Sequence, residues 1–128
     1  MSFESLGLPV TLVQALAARG LREPLPVQEA ALPVLMARKS AMIVSRTGSG
    51  KTLAYLLPLL TGIDPQSPHV QAVILAPTHE LAMQINRVAK ELAGEAGLGI
   101  RVQALIGGAA SSRQIEGLKK KPHIFVVS

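Results

Sequence analysis

Apolar positions along this chain recur with two periods, one helical and one extended. From Leu8 to Ala18 (LPVTLVQALAA) they return every three or four residues. That places Leu8, Leu12 and Leu16, with Val13 and Ala17 nearby, on one helical face that Gly20 ends. Pro24 and Pro26 punctuate the chain, and Pro26 suits the first position of a second helix reaching to about Met36. Ser40 to Val44 reads as a buried strand, because Ala41-Met42-Ile43-Val44 is an unbroken apolar run. Leu53-Ala54-Tyr55-Leu56-Leu57 then reads as a helix without a polar residue in its first turns. After the turn-rich stretch from Gly62 to His69, Val70 to Ala76 (VQAVILA) reads as a second buried strand. Glu80 to about Ala96 carries Leu81, Ile85, Val88, Ala89 and Leu92 at helical spacing. Ile100 to Ile106 alternates as a third strand and is closed by Gly107-Gly108. Ser111 to Lys120 reads as a polar helix, and His123 to Val127 (HIFVV) as a fourth strand.

Strands alternating with helices predict an α/β fold of three layers, a mainly parallel sheet with helices on both faces. In such sheets ligands gather beyond the carboxyl ends of the strands. The segments that follow those ends are residues 45–52, Pro77-Thr78-His79-Glu80, Gly107-Gly108 and Ser128.

Composition narrows this picture. The chain has 128 residues, a length that suits one domain, and 48% are hydrophobic, enough for a packed interior. Phe3, Tyr55 and Phe125 are its only aromatics, so the core is aliphatic and no row of rings is available to stack nucleic-acid bases. The net charge of +5 permits a polyanionic partner without requiring one. The cluster Lys119-Lys120-Lys121 reads first as a helix end whose cations suit the dipole. Absence of cysteine fits a reducing compartment, and no apolar run reaches the ~20 residues that span a bilayer. The default expectation is a cytoplasmic protein.

The densest chemistry lies in Ser45-Arg46-Thr47-Gly48-Ser49-Gly50-Lys51-Thr52. An apolar strand, a glycine-containing loop and a helix in that order make a phosphate-binding loop. Gly48 and Gly50 let the backbone turn and approach a ligand with no Cβ in the way. Successive N–H groups then share one concavity with the positive end of the next helix. Lys51 brings a full charge to the outer phosphates, and the Thr52 hydroxyl can join the shell of a Mg²⁺ ion carried by the nucleotide. The strict pattern begins with Gly, whereas here Ser45 holds that position.

Several stretches together resemble the first RecA-like domain of DEAD-box ATP-dependent RNA helicases, and the chain matches the front half of that domain throughout its length. The family's early aromatic residue matches Phe3, and its glutamine motif matches Gly20 to Gln28 (GLREPLPVQ). Its phosphate loop matches Ser45 to Thr52, its next motif Pro77 to Ala82, and its glycine pair Gly107-Gly108. The resemblance implies a RecA-like sheet, apparently incomplete, with glutamine-motif helices over residues 1–39 and the phosphate-loop sheet over 40–128. It implies ATP with Mg²⁺ as cofactors. Gln28 would pair with the adenine edge, as an amide can with N6 and N7, and Phe3 would stack on the ring. Lys51 and Thr52 would carry the phosphoryl chemistry. Pro77, Thr78, His79, Gly107 and Gly108 would face the RNA sugar-phosphate backbone, which positions RNA without reading its sequence.

The chain departs from the family in three places. Ser45 replaces Ala, Leu25 replaces the Thr of the glutamine motif and so removes a capping hydroxyl, and His79 replaces an Arg. The Asp-Glu-Ala-Asp strand, the Ser-Ala-Thr motif and the second RecA-like domain have no counterpart, and Asp64 is the only aspartate. The expectation is a truncated helicase piece that binds nucleotide and RNA, depends on the remainder of the helicase, and does not hydrolyse ATP alone. Two other readings stand beside it. A small P-loop kinase would need an arginine-rich lid, which the chain does not show. A non-catalytic module binding nucleic acid or protein would leave Lys51 and Thr52 without purpose.

Overall fold

The computed structural model describes residues 2–46, 48, 50–107 and 111–128, the last range without the Ser111 side chain. It divides into two compact units, residues 1–62 and 63–128.

The first unit holds three helices, α1 (Val10–Ala18), α2 (Pro26–Met36) and α3 (Lys51–Gly62). Their aliphatic faces form its core, with Leu12, Leu16, Leu32, Leu56 and Leu57 fully buried. Gly20 ends α1 at φ +81°, while the Leu21 N–H returns to the Leu16 carbonyl at 2.9 Å and the Gly20 N–H to Ala17 at 3.0 Å. This is the paired closure that a left-handed residue makes at a helix end. Arg38 makes the same turn after α2 at φ +60°, where a side chain costs about 1 kcal/mol. α2 begins at Pro26, whose fixed φ and missing N–H cost nothing at a first helical position.

The expectation of a buried strand at Ser40–Val44 is overturned. Among the described residues this stretch belongs to no sheet, and Met42 and Val44 are 90% and 89% exposed. An apolar run supplies side chains for a strand, but the strand exists only when a neighbour takes its N–H and C=O groups. Residues 41–45 instead run beside α2 and wall an open apolar groove of about 490 Å³ with Pro26, Ala30 and Val34.

The second unit is a βαβαβ layer structure. Strands β1 (Ala72–Leu75), β2 (Val102–Leu105) and β3 (Ile124–Val127) form a parallel sheet in the order β1-β3-β2. Helix α4 (His79–Glu95) joins β1 to β2 and packs on β2 and β3, and α5 (Ser111–Leu118) joins β2 to β3. The α/β class and the parallel sheet agree with the sequence, with three described strands rather than four. α4 shows why its segment folds as it does: Ala82, Ile85, Ala89 and Leu92 are buried on one face, and Gly97 closes its end at φ +63°. Ile74, Ile124 and Val126 are buried, whereas Val73 and Leu75 leave one face of β1 bare, Leu75 being 78% exposed.

The register decides where ligands meet this sheet. Leu75 pairs with Val127 and Val127 with Leu105, so all three strands end level. Everything that follows a strand end therefore emerges at the same rim.

Candidate functional site

Within the first unit, the loop before α3 has the backbone of a phosphate cradle. Gly48 and Gly50 lie at φ +79° and +95°, conformations that side chains resist. The Gly50 carbonyl accepts the Ala54 N–H at 3.1 Å, so α3 starts directly from the loop and aims its positive end there. The Lys51 ammonium donates to the Ser45 carbonyl at 2.6 Å, spanning the loop it belongs to. A phosphate entering the loop would replace that carbonyl as the lysine's partner. Arg46 is exposed, and no carboxylate occurs between residues 30 and 63 to oppose an anion. Thr47 and Ser49, also expected in this site, lie outside the described residues.

Gln28 ties the start of α2 to this loop. It is only 2% exposed, and both ends of its amide are used. Oε1 accepts the Leu25 N–H at 2.9 Å, and Nε2 donates to the Gly50 carbonyl at 3.2 Å. A primary amide has a second N–H and a second lone pair, so Gln28 can hold these bonds and still address a base edge. Phe3 is 1% exposed, inside the core of this unit. Both residues expected at the adenine are thus buried.

Thr52 has a neighbour that the sequence did not reveal. Tyr55 lies one turn along α3, where its hydroxyl is influenced by the Thr52 side chain. Burial raises the Tyr55 pKa above its ordinary value of 10, and the Thr52 side chain opposes this only in part. Sequence signal for the pair existed only as the i, i+3 spacing on a helix. Among the described residues no group of three His, Cys, Asp or Glu side chains could hold a metal. Thr52 offers a hard oxygen at the start of α3, which fits Mg²⁺ arriving with nucleotide phosphates and keeping its waters.

In the second unit, the level ends of the three strands bring the other predicted residues to one rim. Pro77 and Thr78 follow β1, and Thr78 caps α4, its hydroxyl accepting the Leu81 N–H at 3.1 Å. His79 opens α4 and is exposed, with Glu80 next to it. Gly107 follows β2 and donates to the Ser128 carbonyl at 3.2 Å, next to the end of β3. Gln114 on α5 clamps the turn by accepting the Ile106 N–H at 2.9 Å and donating to the Ile106 carbonyl at 3.3 Å. Gln114 was not expected from sequence, since nothing marks one amide of a polar helix as a clamp. Gly108 lies outside the described residues.

Comparison with known proteins agrees on one family. The profile of the DEAD/DEAH box helicases matches residues 25–128. DEAD-box ATP-dependent RNA helicase 47A of Oryza sativa subsp. japonica is 47% identical, over 98% of this chain and 24% of its own length. A crystal structure of a DEAD box protein from Methanococcus jannaschii superposes with a TM-score of 0.90 at 29% identity, covering 100% of this chain and 34% of that one. Dbp5 of S. cerevisiae, bound to RNA and ADP BeF3, gives a TM-score of 0.84 at 32% identity, covering 99% and 32%. The chain spans about a quarter of the length of the curated relatives it matches.

Proposed function

The chain belongs to the DEAD/DEAH box helicase family, and from that premise we propose that it is the adenine-nucleotide-binding and RNA-backbone-binding part of an ATP-dependent RNA helicase. The observation that carries the reading is the bond from Gln28 Nε2 to the Gly50 carbonyl, which places a base-reading amide against the phosphate loop. In this reading Gln28 addresses the adenine edge, where guanine presents the opposite donor and acceptor pattern. Phe3 stacks on the base once uncovered. Residues 45–52 wrap the phosphates, Lys51 leaves the Ser45 carbonyl for the outer ones, and Thr52 contributes an oxygen to the nucleotide's Mg²⁺. That ion, when bound, neutralises charge on the phosphate oxygens.

The rim that holds Pro77, Thr78, His79 and Gly107 is the proposed RNA contact, and Gly108, next in sequence, is proposed to share in it. The nucleic-acid contact rests on this family and on the RNA in the Dbp5 complex. Backbone N–H groups and a helix N-terminus bind phosphate without reading bases. His79 stands at this rim where the family carries an arginine.

The proposed organisation is a glutamine-motif segment over 1–39 and a phosphate-loop segment over 40–128. The sequence contains no Asp-Glu-Ala-Asp motif to orient a metal's water shell, so these residues by themselves are proposed to bind ATP without turning it over. The proposed setting is the cytoplasm, and among the described residues no helix is long and apolar enough to cross a membrane.

Calorimetric titration with ADP–Mg²⁺ and GDP–Mg²⁺, repeated for Gln28→Ala, tests the reading. ADP binds and GDP does not, and the substitution removes the difference. Equal binding of both nucleotides by the unaltered chain would overturn the adenine assignment. RNA-stimulated, multiple-turnover ATP hydrolysis by this 128-residue chain would overturn the proposed lack of catalysis.

A further inference from the structure

Leu25 precedes α2 at φ −75°, ψ 160°, in the position where a Ser, Thr, Asp or Asn would turn its side-chain oxygen back onto the helix. Leucine has no such oxygen. Only half of the reciprocal cap survives, the Leu25 N–H on Gln28 Oε1 at 2.9 Å. The leucine side chain goes elsewhere. A Cβ built on Gly50 would stand 2.8 Å from Leu25 Cδ1 and 2.6 Å from Gln28 Nε2, so the leucine methyl and the glutamine amide together rest on the bare face of Gly50. Gly50 is also the residue whose carbonyl starts α3 and accepts the Gln28 amide.

From this arrangement we propose that Leu25 is a positioning residue for nucleotide binding, pressing on Gly50 to hold the phosphate-binding end of α3 in place. The proposal rests on the nucleotide reading given above. The apolar contact and the Gln28 bond both fall on Gly50, one on its bare face and one on its carbonyl, and together they restrain it. Lys51 and Thr52 follow Gly50 directly, so their placement is inherited from it. A phosphate cradle fixed in advance loses less freedom when it closes on its ligand. The substitution of a cap residue by leucine therefore exchanges helix capping for orientation of the loop.

Leu25→Thr separates the two effects, because it restores a capping hydroxyl and removes the methyl from Gly50. Urea unfolding of the full 128-residue chain should show Leu25→Thr at least as stable as the unaltered chain. Calorimetry should show its ADP–Mg²⁺ affinity lowered about four-fold, the equivalent of one buried methylene. Leu25→Met, which keeps an apolar reach, should restore the affinity. Unchanged or tighter ADP binding by Leu25→Thr would overturn the proposal. Amide spectra in the absence of nucleotide give an independent reading: Leu25→Thr should shift the Gly50 and Lys51 N–H resonances and Leu25→Met should leave them in place. Unmoved resonances would refute the contact itself. Failure of the unaltered chain to bind ADP would instead refute the nucleotide reading, with the spectra still deciding whether Leu25 orients the loop.

Discussion

The buried imidazole of His123 holds the backbone of Arg101, accepting its N–H through Nδ1 at 3.0 Å. With Nδ1 an acceptor, Nε2 carries the proton and donates to the Ser67 carbonyl at 2.9 Å. One side chain thus joins the loop before β1, the start of β2 and the start of β3. The Arg101 side chain adds an exposed bond from Nε to the Lys121 carbonyl at 3.0 Å, and its Nη2 lies 3.3 Å from His123 Nε2. His123→Ala should cost about 3–4 kcal/mol, through a cavity and two stranded backbone groups. Arg101→Ala, which keeps the N–H that matters, should cost about 1 kcal/mol or less. Urea midpoints of the two variants in the reverse order would contradict the assignment.

Gly50→Ala combines two penalties. The left-handed backbone at φ +95° costs roughly 1–2 kcal/mol for any side chain, and the new methyl overlaps the Gln28 amide. Gly48→Ala suffers only the first, since nothing lies within 4 Å of its would-be Cβ. Adding Gln28→Ala to Gly50→Ala should relieve the amide's share of the overlap and leave that of Leu25 Cδ1, so the double variant loses less than the sum of the singles. Strict additivity in denaturation would count against the close approach.

Tyr55 is the only tyrosine, which makes its ionisation directly visible in the ultraviolet. Burial raises its pKa in the folded chain above the ordinary value of 10, so there the folded state binds more protons than the unfolded state. Its contribution to stability is complete below pH ~10 and lost as pH rises through the higher folded value. Tyr55→Phe should flatten that alkaline decline. A phenol titration with the same midpoint in buffer and in urea would refute the burial argument.

Thr78→Ala should destabilise the chain by about 1 kcal/mol, because the Leu81 N–H loses its acceptor, and Thr78→Ser should recover most of it. Thermal melts followed by circular dichroism suffice to check both. Equal melting of Thr78→Ala and the unaltered chain would mean that water replaces the cap without loss.

The helices and the glycine loop were legible because each is local: periodicity and a left-handed turn are written within a few consecutive residues. Ala41–Val44 misled because its apolar run specifies a strand only together with a neighbour many residues away. Leu25 looked like a plain loss of a cap, since nothing within the glutamine motif shows that Gly50, 25 residues later, lies under its methyl. His123 carried no signal either. Its partners sit at residues 67 and 101 and meet it only in the fold. The rim was half legible: strand ends predicted its members, and the register supplied their alignment.

The order β1-β3-β2 has a consequence for how the second unit is made. β3 is the central strand and, of the three, the last in chain order. β1 and β2 pair with it and not with each other. Until residues 124–127 are synthesised, neither earlier strand has anything to pair with, and α4 has no sheet to cover. The apolar residues of β1 and α4 therefore remain exposed for some fifty residues of synthesis, the interval in which a nascent chain is most open to misassociation. Disrupting residues 124–127 would take from β1 and β2 the one described strand that both pair with, a loss far out of proportion to their number.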